Sequence, residues 1–315
     1  MAILITGGAG FIGSHLARSL VEQGERVVVL DNFDPYYDPA IKRARIEQLG
    51  GRVAFELADI CQVDQLEAVF QKHAIEKVVH LAGLSSVRYS INRDLLYMQV
   101  NLGGTMNVLE MCKRFGVRHF VLASTSSIYG QTTKVPFQEE DAADRPLASY
   151  PASKRSAELF AHVYHNLYGL DVTILRFFNV YGEDGRPDMM PIRTLESIVY
   201  GHKLTLWNAE TLKRDWTYVA DTVAGIVAAL NRPMGFMTFN LGYGSPVSLA
   251  EFVHIYEELV GRKAVAEHGE APPSEPLITY CDNTRAKALL GFAPQVPLAQ
   301  GLTHVWNWFK AKHGL

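Results

Sequence analysis

Two side chains spaced four residues apart, Tyr150 and Lys154, are the clearest candidates for proton-transfer chemistry. On a helix, residues at this spacing share one face, so a phenol and an ammonium can point into one cleft. A tyrosine has a pKa near 10 and is a poor base at neutral pH, and a neighbouring lysine cation would stabilise the phenolate and lower that pKa. Upstream, the run Ser124-Thr125-Ser126-Ser127 supplies hydroxyls that can hydrogen-bond the oxygen that Tyr150 deprotonates. The pattern therefore predicts a tyrosine general base assisted by a lysine and a hydroxyl.

The chain opens with an apolar stretch that ends in a glycine-rich turn, Gly7-Gly8-Ala9-Gly10-Phe11-Ile12-Gly13. Glycines at positions 7, 10 and 13 permit a tight turn, let backbone N–H groups approach a pyrophosphate, and let the next helix pack closely on the strand. The helix N-terminus adds partial positive charge beneath the phosphates. Because this turn closes a strand and opens a helix, it predicts a dinucleotide site, the alternative being a merely glycine-rich turn.

The second predicted strand ends at Asp31, followed by Asn32. A carboxylate at this position can accept both ribose hydroxyls of NAD and repel the extra phosphate of NADP, so NAD is the predicted cofactor. A nearby basic cluster can be taken to favour NADP, but we interpret it as a solvated helix face: Lys42, Arg43 and Arg45. The pair Asp59-Ile60 follows the third strand, where an adenine edge would lie. The same pair can equally be a helix N-cap and a core residue.

These candidates are positioned by short β-branched runs that alternate with longer amphipathic runs. The predicted strands are Ala2–Thr6, Arg26–Asp31, Val53–Leu57, Lys77–Leu81, His119–Ala123 and Val172–Arg176. The predicted helices are Phe11–Gln23, Val63–His73, Leu95–Phe115 and Tyr150–Tyr168. Nearly all strand residues are apolar, as in strands buried on both faces. The pattern predicts an α/β fold of the Rossmann type, a doubly wound parallel sheet with helices on both faces.

After about residue 180 the alternation of strand and helix patterns becomes less regular, and prolines and glycines become frequent. The helices predicted in this half are Asp221–Leu230, Ser248–Val260 and Asn283–Leu290. We predict a dinucleotide-binding domain over residues 1–180. Later segments, at about 215–245, are expected to belong to the same domain. Residues 181–315 are expected to form mainly a smaller, mixed α/β substrate lobe.

Composition narrows the class of protein. A formal net charge of -3 over 315 residues argues against a nucleic-acid surface or a polybasic membrane anchor. The first residues lack the cationic region of a signal peptide, and no uncharged apolar run is long enough to cross a bilayer. Three widely spaced cysteines, Cys61, Cys112 and Cys281, fit reduced thiols in a cytoplasmic protein. His162 and His165 have no further ligand cluster near them in sequence, so no metal site is predicted.

Several segments together resemble the extended short-chain dehydrogenase/reductase family over nearly the whole chain. They are Thr6–Gly13, His80-Leu81-Ala82-Gly83, Asn101 with Gly104-Thr105, Ser124-Thr125-Ser126, Tyr150-Pro151-Ala152-Ser153-Lys154, Arg176-Phe177-Phe178-Asn179-Val180-Tyr181-Gly182 and Arg214-Asp215. The resemblance implies that Thr125 is the hydroxyl partner, Tyr150 the base and Lys154 a ligand of the nicotinamide ribose. It also implies that Leu81–Gly83 and Asn101 lie along the cofactor and that Arg214 holds substrate phosphate. Gly83 departs from the family's usual alanine.

Three stretches resemble UDP-glucuronate 4-epimerases within that family. They are Asp31-Asn32-Phe33-Asp34-Pro35-Tyr36-Tyr37-Asp38-Pro39, Val87-Arg88-Tyr89-Ser90 and Gly185-Arg186-Pro187-Asp188-Met189. A sugar acid needs a cationic or multi-donor clamp, which an arginine can provide with two parallel hydrogen bonds. The resemblance implies that Arg186 faces the carboxylate, with Ser126 and Ser127 nearby. The alternative is a loop arginine that pairs locally with Asp184 or Asp188.

Two positions depart from that pattern. Asn179 stands where glucuronate epimerases usually carry threonine, and asparagine is frequent there in UDP-glucose 4-epimerases. The segment Pro272-Pro273-Ser274-Glu275 replaces a Pro-Gly-Asp turn that an arginine often precedes. Without that arginine, we expect Arg214 and Arg88 to carry more of the diphosphate charge.

The resemblance implies NAD-dependent epimerisation at C4 of a UDP-sugar, through a 4-keto intermediate and with NAD retained as a prosthetic group. UDP-glucuronate is the predicted substrate. The alternatives are a UDP-glucose 4-epimerase, a UDP-glucuronate decarboxylase and, from another class, a non-catalytic NAD-binding scaffold. Leu95–Phe115 and Tyr150–Tyr168 carry more apolar positions than one face of the sheet would bury, and members of the family commonly dimerise through these two helices. Together these points predict a homodimer through a four-helix bundle. The alternative is that the additional apolar positions pack within one subunit.

Overall fold

The computed structural model describes residues 1–132 and 134–315, and its centre is a seven-stranded parallel sheet. The strand order is β11-β6-β5-β4-β1-β2-β3. The sheet strands are β1 (Ala2–Thr6), β2 (Val27–Asp31), β3 (Ala54–Leu57), β4 (Ile75–His80), β5 (His119–Thr125), β6 (Asp171–Phe177) and β11 (Phe236–Leu241). The doubly wound parallel sheet predicted from the apolar strand pattern is confirmed.

Helices cover both faces of the sheet, and others build the second half of the chain. They are α1 (Phe11–Glu22), α2 (Pro39–Gln48), α3 (Val63–Lys72), α4 (Val87–Ser90), α5 (Asp94–Tyr97), α6 (Gly104–Phe115), α7 (Ser149–Tyr168), α8 (Met190–Tyr200), α9 (Val219–Leu230), α10 (Leu249–Val260), α11 (Thr284–Leu290) and α12 (Leu298–His313). One apolar core lies between the sheet and α3, α6 and α7, and a second lies between the sheet and α1, α9 and α11. Strands β1 and β2 are buried at every position, which explains their uninterrupted apolar sequence.

The single helix predicted over Leu95–Phe115 is interrupted. A π-helical segment, Met98–Gly103, joins α5 to α6. Within it Asn101 is almost fully buried, and its amide binds Leu84 and Ser153 rather than solvent. Such π segments inside α-helices frequently occur at functional sites. The hydrophobic period alone does not reveal this segment, because the pattern of apolar residues continues through it.

A third apolar core lies in the second half of the chain, around Tyr181, Trp216, Phe252 and Phe309. Short strands form three two-stranded sheets there: β7 (Val180–Tyr181) with β10 (Thr217–Tyr218), β9 (Lys213–Asp215) with β12 (Pro246–Ser248), and β8 (Leu204–Trp207) with β13 (Ala266–Gly269). The three helices predicted in this half are present as α9, α10 and α11. Helices α8 and α12 and strand β11 were not predicted. β11 pairs with β6 and so extends the central sheet.

The prediction of a solvated face on α2 is wrong for two of its three basic residues. Lys42 and Arg45 are buried, at 8% and 2% exposure, whereas Arg43 is exposed. The Arg45 guanidinium donates to backbone carbonyls and to the Tyr37 hydroxyl, which compensates for its desolvation. A basic residue at helical spacing does not by itself indicate whether such acceptors surround it.

All three cysteines are free, and Cys112 and Cys281 are buried. Within the described part of the chain, none of the helices combines the length and apolar character that a membrane crossing requires.

Candidate active site

The glycine turn joins β1 to α1 and packs directly against the segment that follows β4. Gly7 has a φ of +69°, and a Cβ on it would lie 2.6 Å from the Ala82 backbone nitrogen. A Cβ on Gly13 would lie 2.4 Å from the Gly7 carbonyl oxygen. These contacts explain why glycine is needed at both positions. No described side chain caps the N-terminus of α1, so its first N–H groups remain open to an anionic ligand.

Asp31 lies at the end of β2, where its carboxylate is buried beside the glycine turn. It accepts hydrogen bonds from the backbone N–H of Ala9 at 3.1 Å and of Phe33 at 2.9 Å. Burial raises the pKa of Asp31, and the nearby Lys42 cation opposes that rise. The Asp31 carboxylate therefore stabilises the glycine turn and also lines the cleft.

Asp59 and Ile60 both contribute to local structure, and Ile60 also lines the cleft. The Asn32 amide donates to Asp59 at 2.9 Å, and Asp59 also accepts from the Cys61 backbone N–H. Asp59 is not the N-cap of α3, since that helix begins at Val63. Ile60 belongs to the core and also lines the cleft.

Asn101 links the segment after β4 to α7. Its Oδ1 accepts from the Leu84 backbone N–H at 2.7 Å, and its Nδ2 donates to the Leu84 carbonyl and to the Ser153 hydroxyl. A Cβ on Gly83 would lie 2.9 Å from Asn101 Oδ1. The absence of a side chain at this position therefore allows the segment after β4 to approach the π-helical segment.

Tyr150 and Lys154 lie one turn apart at the start of α7, and both line the same cleft as the glycine turn. Burial raises the pKa of Tyr150, while contact with Thr125 and the charge of Arg186 act to lower it. The well-formed hydrogen bonds of the Thr125 hydroxyl go to Ser127, at 3.2 Å. Burial outweighs both effects, so the pKa of Tyr150 stays above its usual value, and the assistance of Lys154 to the phenolate stays a prediction. Burial also lowers the pKa of Lys154 to about 8, opposed by Glu158.

Beneath this pair lies a buried polar network that the sequence interpretation missed. Glu158, one turn beyond Lys154, accepts two hydrogen bonds from the Arg176 guanidinium at 2.8 and 3.1 Å and one from the Ser124 hydroxyl. Burial raises the pKa of Glu158, but these partners outweigh it and hold the pKa below its usual value. The i+4 spacing from Lys154 to Glu158 was the available signal. The network fixes α7 against the ends of β5 and β6.

Arg186 forms the local ion pair that was the alternative interpretation of the sequence. It pairs with Asp188 through Nε at 2.9 Å and Nη2 at 3.1 Å, and its Nη1 donates to the Ser85 hydroxyl. It also lines the cleft with Tyr150 and Lys154. Local pairing therefore holds the guanidinium in place without removing it from the cleft.

Arg214 and Arg88 share a single carboxylate, that of Glu275. Arg214 Nη2 lies 2.8 Å from Glu275 Oε2, and Arg88 Nε lies 3.0 Å from Oε1. Arg214 is almost fully buried, whereas the Arg88 side chain is 47% exposed and stacks on the Trp207 ring at 3.6 Å. Glu275 falls in the segment that replaces the family's Pro-Gly-Asp turn. Its carboxylate thus brings together two cations predicted to bind phosphate.

The remaining predicted substrate residues follow the ends of β5 and β6. Ser126 and Ser127 follow β5 in a short 3₁₀ turn, and Ser126 is buried. The Asn179 amide oxygen accepts a hydrogen bond from the Thr279 hydroxyl at 3.3 Å.

The cleft wall includes most of the predicted cofactor and catalytic positions. These are Gly7, Gly10, Phe11, Ile12, Gly13, Asp31, Asn32, Ile60, Leu81, Ala82, Gly83, Tyr150, Lys154 and Arg186. The predicted positions outside that wall are Asp59, Arg88, Asn101, Thr125, Ser126, Ser127, Asn179 and Arg214. Among the described residues, no group of three or more metal-ligating side chains is present. His162 and His165 pack against the Phe236 ring instead.

Comparison with known proteins supports this arrangement. Residues 3–242 match the model of the NAD dependent epimerase/dehydratase family. The chain is 39% identical over 311 residues to a UDP-glucuronate 4-epimerase of Thermodesulfobacterium geofontis, covering 98% of this chain and 95% of the relative.

Solved structures agree in fold over nearly the whole chain. A Bacillus cereus UDP-glucuronic acid 4-epimerase in complex with UDP-glucuronic acid and NAD superposes with a TM-score of 0.92 at 34% identity, covering 99% of this chain and 100% of that one. A Thermotoga maritima UDP-glucose 4-epimerase with UDP-glucose superposes with the same TM-score at 29% identity, covering 99% and 100%. With the glycine turn, Asp31 and the Tyr150–Lys154 pair lining one cleft, these matches show that the chain belongs to the NAD dependent epimerase/dehydratase family.

Proposed function

We propose that this protein is an NAD-dependent UDP-glucuronate 4-epimerase, an isomerase that converts UDP-glucuronate to UDP-galacturonate. The observation that carries the proposal is the convergence of Tyr150, Lys154 and Arg186 in the cleft that the glycine turn and Asp31 also line. An acid–base pair beside a dinucleotide site suits oxidation at a hydroxyl-bearing carbon. An arginine in the same cleft suits a substrate that carries a carboxylate.

The cleft fits NAD. The close backbone approach at Gly7 and Gly13 leaves room for a pyrophosphate over the N-terminus of α1. Asp31 offers lone pairs to ribose hydroxyls and disfavours a 2′-phosphate there. When bound there, NAD would supply reversible hydride transfer at C4 of the sugar. Because there is no net redox change, the cofactor can remain in place between turnovers.

Tyr150 takes the proton of the C4 hydroxyl at its phenol oxygen and later returns it. Its position in the first turn of α7, in contact with Thr125, provides both a base and a hydroxyl partner. Lys154 stands one turn away and is suited to hold the nicotinamide ribose. The Arg176–Glu158 pair keeps α7 in register with the ends of β5 and β6.

Arg186 binds the carboxylate of the sugar acid. Oxidation at C4 of a uronate gives a β-keto acid, which tends to lose carbon dioxide, so the carboxylate must be held away from overlap with the carbonyl π system. We expect Arg186→Ala to reduce kcat/KM for UDP-glucuronate by roughly 100-fold, the loss expected for a charged hydrogen-bonded pair, and to reduce it far less for UDP-glucose. Steady-state kinetics on both sugars measure this effect. Equal losses on the two sugars would contradict the carboxylate assignment.

Product identity tests the function itself. The protein is incubated with UDP-glucuronate, without added NAD, and the product is identified by NMR and mass spectrometry. A C4-inverted hexuronate supports the proposal. A pentose with carbon dioxide indicates a decarboxylase, and turnover of UDP-glucose alone indicates a UDP-glucose 4-epimerase. Absence of conversion of either sugar by a protein that retains NAD indicates a non-catalytic scaffold.

We further propose a homodimer that packs two copies of α7 and of the helical region 94–115 into a four-helix bundle. Apolar side chains are exposed on this face, including Leu95 at 86% and Leu167 at 61%. The others are Leu96, Met98, Leu159, Phe160, Val163 and Tyr168. Sedimentation of the protein and of Leu167→Glu tests this assembly, since one charge in each copy should dissociate an apolar interface.

The domain division is also a proposal: an NAD-binding domain over residues 1–180 with about 215–245 returning to it, and mainly a nucleotide-sugar lobe over 181–315. Its support is the pairing of β11 with β6 and the separate core around Phe252 and Phe309. The cytoplasmic location and the lack of nucleic-acid and membrane partners stay predictions from composition.

A further inference from the structure

The guanidinium of Arg186 is held by a carboxylate and a hydroxyl before any substrate contact is considered. Asp188 engages Nε and Nη2 together, and Ser85 accepts from Nη1. Such a two-pronged pair fixes the plane of the guanidinium as well as its position. N–H groups on the two terminal nitrogens are left for a ligand.

Tyr36 supports both members of this ion pair. Its hydroxyl donates to Asp188 Oδ2 at 2.8 Å, and its ring lies 5.8 Å from the Arg186 guanidinium carbon. The ring itself packs edge-on against Tyr89, at 4.7 Å between centroids. Tyr36 therefore cannot shift without loosening its contacts with Asp188 and Arg186.

Arg45 fixes the backbone of the loop that carries Arg186. Its Nη2 donates to the Asp184 carbonyl at 2.6 Å, and its Nη1 donates to the Ala9 carbonyl at 3.1 Å and to the Tyr37 hydroxyl at 2.8 Å. Arg45 is 2% exposed, and a buried cation is tolerated only where such acceptors surround it. One side chain thus ties the glycine turn to the Arg186 loop.

We propose that Tyr36 and Arg45 are positioning residues that fix Arg186, and through it the sugar carboxylate, relative to the nicotinamide-binding end of the cleft. The inference rests on the proposed function. It assigns a role to the segment Asp34–Arg45, part of which also lines the cleft: the segment supports the residue that distinguishes a sugar acid from a neutral sugar.

The consequence concerns the fate of the 4-keto intermediate. In decarboxylation the C5–C6 bond breaks, its electron pair enters the C4 carbonyl, carbon dioxide leaves, and a proton from solvent replaces it at C5. Reduction at C4 then gives a UDP-pentose. This loss requires the breaking bond to align with the carbonyl π system, so an immobile carboxylate suppresses it. Loosening Arg186 should therefore raise the pentose share of the product.

The decisive variant is Tyr36→Phe, which removes only the hydroxyl that Asp188 accepts. We expect the pentose share with UDP-glucuronate to rise several-fold and kcat/KM to fall about tenfold, the equivalent of one lost hydrogen bond to a charged group. The affinity for UDP alone and the NAD content should not change. Tyr89→Phe is the matched control, because it removes a neighbouring phenol hydroxyl that does not touch Asp188.

Arg45→Lys provides a second, independent variant. It keeps the charge, but a single ammonium cannot reproduce the planar fork that spans the glycine turn and the Arg186 loop. The pentose share should rise here too. An unchanged product ratio in both variants, or equal losses of uronate turnover and UDP affinity, overturns the positioning role. If the wild-type protein does not convert UDP-glucuronate at all, the proposed function fails instead, so the two failures are distinguishable.

Discussion

The two ends of the cleft are built in different ways. At the cofactor end the groups are backbone atoms and a carboxylate at the ends of β1 and β2, each set by the strand immediately before it. At the end proposed to bind the sugar nucleotide the groups are cations on a loop, a short helix and a short strand, and each is held by a carboxylate: Arg186 by Asp188, and Arg88 with Arg214 by Glu275. The cofactor end is thus specified by local geometry, and the sugar end by ion pairs, of which those of Arg88 and Arg214 with Glu275 join distant segments.

This difference indicates where specificity can change within one fold. The backbone turn admits little variation, because a single added Cβ at Gly13 meets backbone atoms on two residues. A loop arginine held by side chains can be lost or repositioned by a few substitutions without disturbing the sheet.

The largest expected effect on turnover concerns Tyr150, which lies where the cofactor end and the sugar end of the cleft meet. Tyr150→Phe removes the hydroxyl proposed to act as general base, so turnover of UDP-glucuronate should fall by about 10²–10⁴-fold. Bound NAD, measured by absorbance after denaturation, should remain, because the glycine turn is untouched. Turnover near the wild-type rate would remove the base assignment.

The backbone nature of the cofactor end is tested by Gly13→Ala. The added Cβ would lie 2.4 Å from the Gly7 carbonyl oxygen and 2.7 Å from the Gly8 Cα. Neither backbone atom can move freely, so we expect about 3 kcal/mol of destabilisation and loss of retained NAD. Gly103→Ala is the control, since its Cβ would meet only the Met98 carbonyl oxygen, at 3.8 Å. Similar urea denaturation midpoints for the two variants would contradict the close-packing argument.

The burial of Lys154 at the junction gives a pH-dependent signature. Its pKa is lowered to about 8 in the folded chain, from 10.5, so between these values the unfolded chain holds a proton that the folded chain lacks. The free energy of unfolding should therefore rise with pH, by roughly 2 kcal/mol between about pH 8 and pH 10. Lys154→Met should lack this rise. Parallel stability curves for the two proteins, measured by urea denaturation, would show that the lysine is not desolvated.

The ion-paired nature of the sugar end is tested by Arg214→Met. Because this arginine is proposed to hold phosphate, the affinities for UDP, UDP-glucose and UDP-glucuronate should all fall by about tenfold, the effect expected for one charged contact. This uniform loss contrasts with the sugar-selective loss expected of Arg186→Ala. Isothermal calorimetry measures the affinities. A loss confined to UDP-glucuronate would mean that Arg214 faces the sugar and not the diphosphate.

The amino-acid sequence by itself determined the sheet, the glycine turn, the acid at the end of β2 and the Tyr150–Lys154 spacing. Each of these depends on residues within one or two turns of one another, so hydrophobic period and spacing predict them. A return of about 215–245 to the sheet was expected, but strand β11 itself was not predicted, because its sequence Phe236-Met237-Thr238-Phe239-Asn240-Leu241 lacks the β-branched apolar run of the other sheet strands.

Only the tertiary structure decided which charged residues are buried and which groups they pair with. Lys42 and Arg45 look like surface residues by spacing, and Arg186 looks like either a ligand or a local ion-pair partner. Whether a cation is buried or paired depends on acceptors from distant segments, such as the Asp184 carbonyl for Arg45 and Glu275 for Arg88 and Arg214. The energetic balance between desolvation and these acceptors exists only once the segments meet, so it has no signature in any single stretch of the chain.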